Sequence, residues 1–296
     1  MNKLIKIISF VAILVAFSFL FSNIFADWNA IKESFVNFKA SYIILVFLFL
    51  SPVYILNAFS WHIITVSLRL NVSFKENLHL WVVSNLSRYL PGGFWQYPSR
   101  VYLLSSAGAN KLTATYAVIM EALFNLVVGI LIVLLTSFGG IFLRIDKRIM
   151  AAAGVGLILI FFVYIYQKFI KKGFVNFKIP DISYKWIIPL IFLFSTQYLI
   201  PGIVLYTLVN SIVAIPLTQL PIFVGIYTSS WIVGYITFFA PSGLGVQDIS
   251  IAALLSIFVP LPIASAIAIL FRIILTLTEL LTVLIVFWLT KKAKII

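Results

Sequence analysis

Residues 85–93 read Asn-Leu-Ser-Arg-Tyr-Leu-Pro-Gly-Gly, and residues 241–248 read Pro-Ser-Gly-Leu-Gly-Val-Gln-Asp. Each stretch places a Pro/Gly break and ionisable groups inside apolar sequence. The prolines Pro91 and Pro241 are 150 positions apart (241 − 91). A gapless overlay at this offset aligns further identities at Gly93/Gly243, Leu104/Leu254, Ser106/Ser256, Ala114/Ala264 and Ile119/Ile269. Weak internal symmetry with broken helices at corresponding places is typical of a transporter binding site, the alternative being two kinked structural turns.

The composition around these breaks is that of a membrane protein. The chain is 63% hydrophobic and 10% charged, and its mean hydropathy is +1.15. A soluble domain cannot bury so much apolar surface, so we predict an all-α polytopic membrane protein that forms one membrane domain over residues 1–296. The net charge of +13 is attributed to basic loops that set topology rather than to nucleic-acid binding.

Hydrophobic runs predict six full spans, at residues 4–26, 41–66, 112–137, 149–169, 185–209 and 262–290. Each has the length needed to cross about 30 Å of hydrocarbon. The first run is longer than the apolar core of a signal peptide, so we expect a retained helix there. Regions 77–108 and 217–259 carry the breaks and are interpreted as helical hairpins. Because the arm at 217–239 is long enough to span, about eight crossings is the alternative.

The order of these elements predicts two pseudo-repeats, at about 1–140 and 149–290, each with three spans and one broken hairpin. Three spans per repeat is an odd number, so the halves should have opposite orientations and form an inverted repeat. The loops placed inside are rich in basic residues, which predicts that both termini face the cytoplasm. The discordant cluster is Arg144, Lys147 and Arg148 in a loop placed outside.

Ionisable side chains inside membrane segments are costly and mark paired or functional positions. The candidates are Arg88, Arg100, Glu121, Asp248, Arg272 and Glu279. Arg272, Thr276 and Glu279 share one helix face. We predict that Arg272 pairs with Asp248 or Glu121 across the interface between the halves, the alternative being a static salt bridge that holds the halves together.

The first break has the composition of an anion site. Arg88 and Arg100 bracket it, and a half-helix that begins near Tyr97–Pro98 would direct its free amides and positive dipole end inward. Guanidinium groups bind phosphate in a bidentate manner. The predicted headgroup-binding residues around the two breaks are Asn85, Arg88, Pro91, Gly92, Gly93, Gln96, Arg100, Glu121, Ser242, Gly243, Gly245, Asp248 and Arg272.

The sequence shows no set of catalytic or metal-binding residues beside these positions. Cysteine is absent, and His62 and His79 are interpreted as interfacial or hydrogen-bonded residues. We expect no cofactor, no metal and no enzymatic activity.

At these residues the chain resembles the lysylphosphatidylglycerol synthase transmembrane-region family, the membrane part of the multiple peptide resistance factor and of stand-alone flippase-like proteins. The matching pattern is Asn85, Arg88, Pro91-Gly92, Arg100, Gly108 and Glu121, then Pro241-Ser242-Gly243, Gly245-Val246, an acid at 248, and Arg272. Two positions depart from it: Asp248 replaces the usual Glu, and Trp95 stands where the family often has Gly. The family's soluble aminoacyltransferase domain is not in this sequence, so we do not expect lipid aminoacylation.

The resemblance implies movement of a phospholipid or a polyprenyl-linked headgroup between the leaflets of a prokaryotic cytoplasmic membrane. Expected partners are membrane lipid and, for the alternative function, a lipid-modifying enzyme or glycosyltransferase. That alternative is an accessory membrane subunit for envelope lipid assembly with no transport of its own. Less favoured are a membrane-embedded lipid enzyme, for which clustered acids or a His–acid pair are lacking, and an ion or small-solute transporter.

Overall fold

The computed structural model describes residues 3–35, 41–90, 93–136, 184–237 and 240–290, and all regular secondary structure in these ranges is helical. The α-helices are α1 (Lys3–Ala26), α2 (Trp28–Phe35), α3 (Ser41–Ser67), α4 (Phe74–Leu86), α5 (Gln96–Ser106), α6 (Lys111–Leu135), α7 (Ile187–Asn210), α8 (Leu220–Ile236), α9 (Val246–Leu255) and α10 (Leu261–Thr290). The predicted span at 149–169 and the basic cluster at 144–148 lie outside the described residues.

Four of these helices contain segments long and apolar enough to cross a membrane: Val46–Ser67, Lys111–Leu135, Ile187–Asn210 and Leu261–Thr290. Within α1, the segment Ile13–Ala26 is a shorter apolar helix. Large hydrophobic side chains are exposed along the outer faces of these helices; Phe192 of α7 is 69% exposed and Leu284 of α10 is 63% exposed. Such faces are unfavourable in water and favourable in lipid, so the protein is a multi-pass, helical, membrane-embedded protein.

The helices on either side of the breaks are short. α4 has 13 residues, α5 has 11 and α9 has 10, so at 1.5 Å per residue each is about 15–20 Å long and too short to cross the hydrocarbon. α8, with 17 residues, is at the lower limit for a crossing. α4 packs against α5, and α8 packs against α9. Both broken regions therefore form pairs of packed helices.

The boundaries of these helices recur at the offset found in the sequence. The residues that match at 150 positions are the ends of α4 and α8 (Leu86 and Ile236), the starts of α5 and α9 (Gln96 and Val246), and the starts of α6 and α10 (Lys111 and Leu261). The overlay of single identities thus extends to these helix boundaries. The opposite orientation of the two halves stays a prediction.

The turns inside the two breaks match as well. The Gly93 amide donates to the Leu90 carbonyl at 3.2 Å, and the Gly243 amide donates to the Ala240 carbonyl at 3.0 Å. Both glycines have positive φ, +61° and +66°, a backbone conformation that side chains with a Cβ disfavour. The matching glycines in the sequence are therefore required by the same turn.

The two breaks contact each other inside the helical bundle. α1 packs against α9 and α10, and Gly245 faces it so closely that an added Cβ would lie 2.4 Å from the Ala16 Cβ. The buried core joins all the long helices, and it includes Trp61 of α3, Phe194 of α7 and Phe271 of α10. This packing places the broken, polar backbone in the centre of the protein.

Candidate functional site

A cavity of about 210 Å³ lies where the breaks meet. Helices α3 to α10 and the two breaks contribute to its wall. Its polar and aromatic lining residues are Tyr54, Asn57, Trp81, Asn85, Arg88, Tyr89, Phe94, Gln96, Tyr97, Arg100, Glu121, Asn125, Gln197, Tyr227, Trp231, Tyr235, Thr237, Ser242, Gln247, Arg272, Thr276 and Glu279. A polar cavity of this size has room for several water molecules or a small polar group.

The first ion pair joins Arg100 of α5 to Glu121 of α6. Arg100 is 2% exposed, and each of its three guanidinium nitrogens has an acceptor. The other two bonds are Nε to the Ser84 Oγ at 2.8 Å and Nη2 to the Asn85 Oδ1 at 2.6 Å. Trp81 Nε1 donates to the second Glu121 oxygen, Oε1, at 2.9 Å. The Arg100 guanidinium is therefore bonded to the protein at every nitrogen.

Two tryptophan rings complete the surroundings of this pair. The Arg100 Cζ lies 5.2 Å from the ring centroid of Trp61 and 5.5 Å from that of Trp81, distances at which the ring faces attract the cation. These contacts stabilise a charge that is shielded from bulk water.

The second ion pair joins Asp248 of α9 to Arg272 of α10, with the Arg272 Nε 2.6 Å from the Asp248 Oδ1. Arg272 Nη2 also donates to the Gln247 Oε1 at 2.8 Å. The other carboxylate oxygen of Asp248 accepts the Gly245 amide at 3.0 Å, which caps the start of α9. Of the two acids predicted as partners of Arg272, the structure brings Asp248 to it, within the second half and not across the interface.

The third ion pair joins the two halves. Arg88 of the first break bonds to Glu279 Oε2 of α10, and Tyr89 Oη donates to the same oxygen at 2.5 Å. The Arg88 side chain is 25% exposed and the Glu279 side chain 3%. Among the cavity arginines, Arg88 is thus the most accessible, since the Arg100 and Arg272 side chains are 2% and 12% exposed.

An aromatic wall closes one side of the cavity. Tyr97 Oη of α5 donates to Tyr235 Oη of α8 at 2.5 Å. The Tyr235 ring stacks on Trp231, with centroids 4.6 Å apart, and Trp231 meets the edge of Tyr198. This wall combines apolar ring faces with hydroxyl groups, so it suits the boundary between a polar group and an apolar chain.

The structure brings nine of the thirteen predicted site residues to the cavity wall: Asn85, Arg88, Gly93, Gln96, Arg100, Glu121, Ser242, Gly243 and Arg272. Asp248 lies behind Arg272 at 1% exposure, and Gly245 lies against Ala16; neither lines the cavity. Pro91 and Gly92 lie outside the described residues.

The backbone amides at the start of α5 are not all free to bind an anion, contrary to the prediction from the sequence. The Tyr97 amide donates to the Phe94 carbonyl and the Ser99 amide to the Trp95 carbonyl, both at 3.0 Å. Pro98 between them has no N–H. The tight turn before α5 therefore already satisfies backbone amides of the first helical turn, which the sequence pattern had predicted to be free to bind an anion.

Sequence reasoning did not place Asn57 of α3 or Gln197 of α7 at the site. The signal was present, because each is a polar residue within a long apolar run. Glu279 was identified as a buried charge, but its partnership with Arg88 depends on the contact between break and helix. In the part of the chain that the structure describes, no group of three or more His, Asp or Glu side chains could hold a metal ion.

The model of the lysylphosphatidylglycerol synthase transmembrane region matches residues 6–282 of the chain. The protein belongs to this family. A comparison with curated proteins gave no match. Membership confirms the resemblance drawn from the two breaks and the arginines around them, and it identifies the chain as a membrane protein related to lipid handling.

Proposed function

We propose that this family member moves a phospholipid or a lipid-linked headgroup between leaflets through the central cavity. The observation that carries the proposal is a cavity lined by three arginines, where two broken helices meet inside a bundle with an apolar exterior. A headgroup crosses hydrocarbon only when its polar atoms are satisfied on the way. The cavity supplies polar partners at that depth of the bundle.

Arg88 is the side chain best suited to receive a phosphate. It is the most exposed of the three cavity arginines, and its guanidinium can bind phosphate oxygens in a bidentate manner. Arg100 is enclosed by its own partners, so we assign it to holding α5 against α4 and α6. This division of roles narrows the sequence hypothesis, in which Arg88 and Arg100 both hold the phosphate.

Access from the two leaflets in turn would require the halves to move relative to each other. The pairs Arg100–Glu121 and Asp248–Arg272 each lie within one half and can stay intact during such a motion. The pair Arg88–Glu279 links the halves, and a bound anion can take the place of Glu279 on Arg88. In this proposal the halves are an inverted repeat, both termini face the cytoplasm, and the membrane is the prokaryotic cytoplasmic membrane.

We propose transport and no catalysis, with membrane lipid as the partner. The cavity contains no pairing of histidine with an acid among the described residues, an arrangement that a lipid hydrolase or transferase of the acid–base type would use. An accessory role in envelope lipid assembly is the outcome to which a negative transport result would lead.

The test is exchange of acyl-labelled fluorescent phospholipids across proteoliposome membranes. We compare wild type with Arg88→Gln, Arg272→Gln and Asp248→Asn at equal reconstitution, with Lys75→Gln as a matched control because Lys75 is exposed at the start of α4. We expect faster exchange than in protein-free vesicles, loss in the Arg88, Arg272 and Asp248 variants and retention in the control. Exchange no faster than in protein-free vesicles for common phospholipids and a polyprenyl-phosphate probe contradicts the proposal.

A further inference from the structure

The ion pair between the halves leaves two of its own polar atoms without partners. Arg88 Nε is a buried donor and Glu279 Oε1 a buried acceptor, and neither has a hydrogen-bond partner among the described residues. Both side chains line the cavity, and Glu279 is 2% exposed. A buried polar atom without a partner costs free energy, so native proteins usually satisfy it with water or a ligand.

A third unpartnered atom belongs to a residue of the same cavity wall. Asn57 of α3 lines it, and its Oδ1 has no partner in the described chain. The neighbouring Tyr54 hydroxyl is already used, since it donates to the Leu275 carbonyl at 3.1 Å. The unpartnered atoms of the cavity residues are therefore one cationic donor (Arg88 Nε), one anionic acceptor (Glu279 Oε1) and one neutral acceptor (Asn57 Oδ1).

These three atoms define the chemistry of a complementary ligand. The cationic donor on Arg88 bonds most strongly to an anionic acceptor, such as a phosphodiester oxygen. The acceptors on Glu279 and Asn57 require a ligand N–H or O–H. Because Arg88 and Glu279 are in direct contact, the anion and the donor must be close together in the ligand, as in a small headgroup.

We propose that Arg88, Glu279 and Asn57 form a subsite that selects headgroups with both a phosphodiester and a hydrogen-bond donor. Ethanolamine and glycerol headgroups meet this requirement, and the trimethylammonium of choline does not because it has no N–H. The inference rests on the proposed function for its lipid ligand and adds the substrate class. Glu279 and Asn57 are the specificity-determining residues.

The charge on Glu279 separates the two kinds of donor. An ammonium group gains a charge-assisted bond to the carboxylate, whereas a hydroxyl can bond nearly as well to an amide. Glu279→Gln keeps an acceptor oxygen and similar volume but removes the charge. This variant should weaken binding of the ethanolamine headgroup more than binding of the glycerol headgroup. Asn57→Leu keeps the ion pair and should weaken binding of both headgroups relative to that of choline.

The first arm of the test measures exchange of phosphatidylethanolamine, phosphatidylglycerol and phosphatidylcholine with the same fluorescent acyl chain. We expect the choline lipid to exchange about tenfold more slowly than the other two, the ratio that the loss of one good hydrogen bond produces. Equal exchange of all three lipids overturns the subsite and leaves the proposed function standing.

The second arm measures binding without transport. Glycerophosphoethanolamine, glycerophosphoglycerol and glycerophosphocholine are titrated into detergent-solubilised protein. Intrinsic tryptophan fluorescence is followed, to which Trp81 and Trp231 of the cavity contribute. We expect the choline compound to bind about tenfold more weakly than the other two in wild type and in the Lys75→Gln control. The preference should fall in Asn57→Leu.

The two arms separate failure of the subsite from failure of transport. Discriminating binding with no lipid exchange supports the subsite and overturns transport. Equal binding of the three compounds, or no binding of any, shows that the unpartnered atoms are satisfied by water alone and overturns the subsite.

Discussion

In each half an ion pair joins the short helix after the break to the next long helix, with the charges exchanged between the halves. In the first half the short helix α5 carries the arginine and the long helix α6 carries the acid, as Arg100–Glu121. In the second half the short helix α9 carries the acid and the long helix α10 the arginine, as Asp248–Arg272. Three helix boundaries of the first half recur 150 positions later, yet the paired side chains carry opposite charges on the corresponding helices.

The surroundings of the two pairs differ as much as their polarity. Both arginines line the cavity, but Arg100 bonds to protein groups at all three guanidinium nitrogens and its side chain is 2% exposed, whereas the Arg272 side chain is 12% exposed. The backbone repeat thus supports one arginine that protein groups enclose almost completely and a second that is more exposed. A shared fold in the two halves does not mean a shared role for their charges.

The largest expected effect comes from breaking the enclosed pair. Arg100→Leu should lower the free energy of unfolding by about 3–5 kcal/mol, because Glu121 is left buried and charged without its partner. Arg272→Leu should cost less, since Asp248 keeps the Gly245 amide and the cavity can admit water. Thermal unfolding of the purified protein in detergent, followed by tryptophan fluorescence, measures both.

The double variant Arg100→Leu/Glu121→Leu is the control, and it should recover much of the loss because an apolar pair carries no desolvation cost. A larger loss for Arg272→Leu than for Arg100→Leu would reverse the assignment of the enclosed pair to the first half.

The glycines of the second break provide the next effect. Gly245→Ala should destabilise the protein by about 2–4 kcal/mol, because its φ is +82° and the new Cβ would meet Ala16 at 2.4 Å. Gly108→Ala is the matched control: its φ is +94° and an added Cβ has nothing within 4 Å. Equal losses in the two variants, measured by the same unfolding assay, would show that the contact with α1 contributes nothing.

A double-mutant cycle tests whether the second pair is energetically coupled. Arg272→Ala combined with Asp248→Ala should show a coupling free energy of about 1–3 kcal/mol, because the side chains are in contact. Arg272→Ala combined with Glu121→Ala should be additive within about 0.5 kcal/mol, as expected for residues without a shared partner. Additive losses of stability with both acids would mean that Arg272 has no energetic coupling to either carboxylate.

The smallest effect comes from the caps of the matching helices α4 and α8. Ser73 Oγ accepts the Glu76 amide, and Glu76 Oε2 accepts the Ser73 amide, whereas α8 begins at Leu220 with no side-chain cap. Ser73→Ala should cost about 1 kcal/mol of unfolding free energy. Gln219→Ala at the start of α8 should lower the free energy of unfolding by less than Ser73→Ala does.

The same cap predicts a pH dependence. Hydrogen bonds from Ser73 lower the pKa of Glu76 below its usual value of 4.5. The cap therefore stabilises the protein above the unfolded-state pKa, and this contribution is lost as the pH falls through the lowered folded-state pKa. Unfolding of Ser73→Ala and wild type at pH 7 and pH 3 should show a smaller difference at pH 3.

Much of the architecture could be predicted from local pattern. The apolar runs predicted the long helices α3, α6, α7 and α10, because the length and composition of a crossing helix are set by the bilayer. Pro91, Pro241 and the glycines beside them predicted the breaks, because proline and positive-φ glycine interrupt helices. The nine predicted residues on the cavity wall followed from these breaks and from the cost of charge in apolar sequence.

The pairing of charges could not be read in the same way. Glu121 and Asp248 were equivalent candidates for Arg272, since a one-dimensional pattern shows which charges need partners but not which ones meet. The enclosure of Arg100 depends on Trp61 from α3 and Trp81 from α4, which helix packing brings together. The amides at the start of α5 are satisfied because the turn brings the carbonyls of Phe94 and Trp95 to them.

The sequence by itself determined the membrane class, the two breaks, their 150-residue spacing and the family. These properties follow from composition and from the backbone restrictions of proline and glycine, which act locally. Only the tertiary structure decided that Arg88 meets Glu279, that Arg100 is enclosed by its own partners, and that Arg272 meets Asp248 and not Glu121. Those outcomes depend on contacts between residues up to 191 positions apart, and such contacts exist only when the helices pack around a common centre.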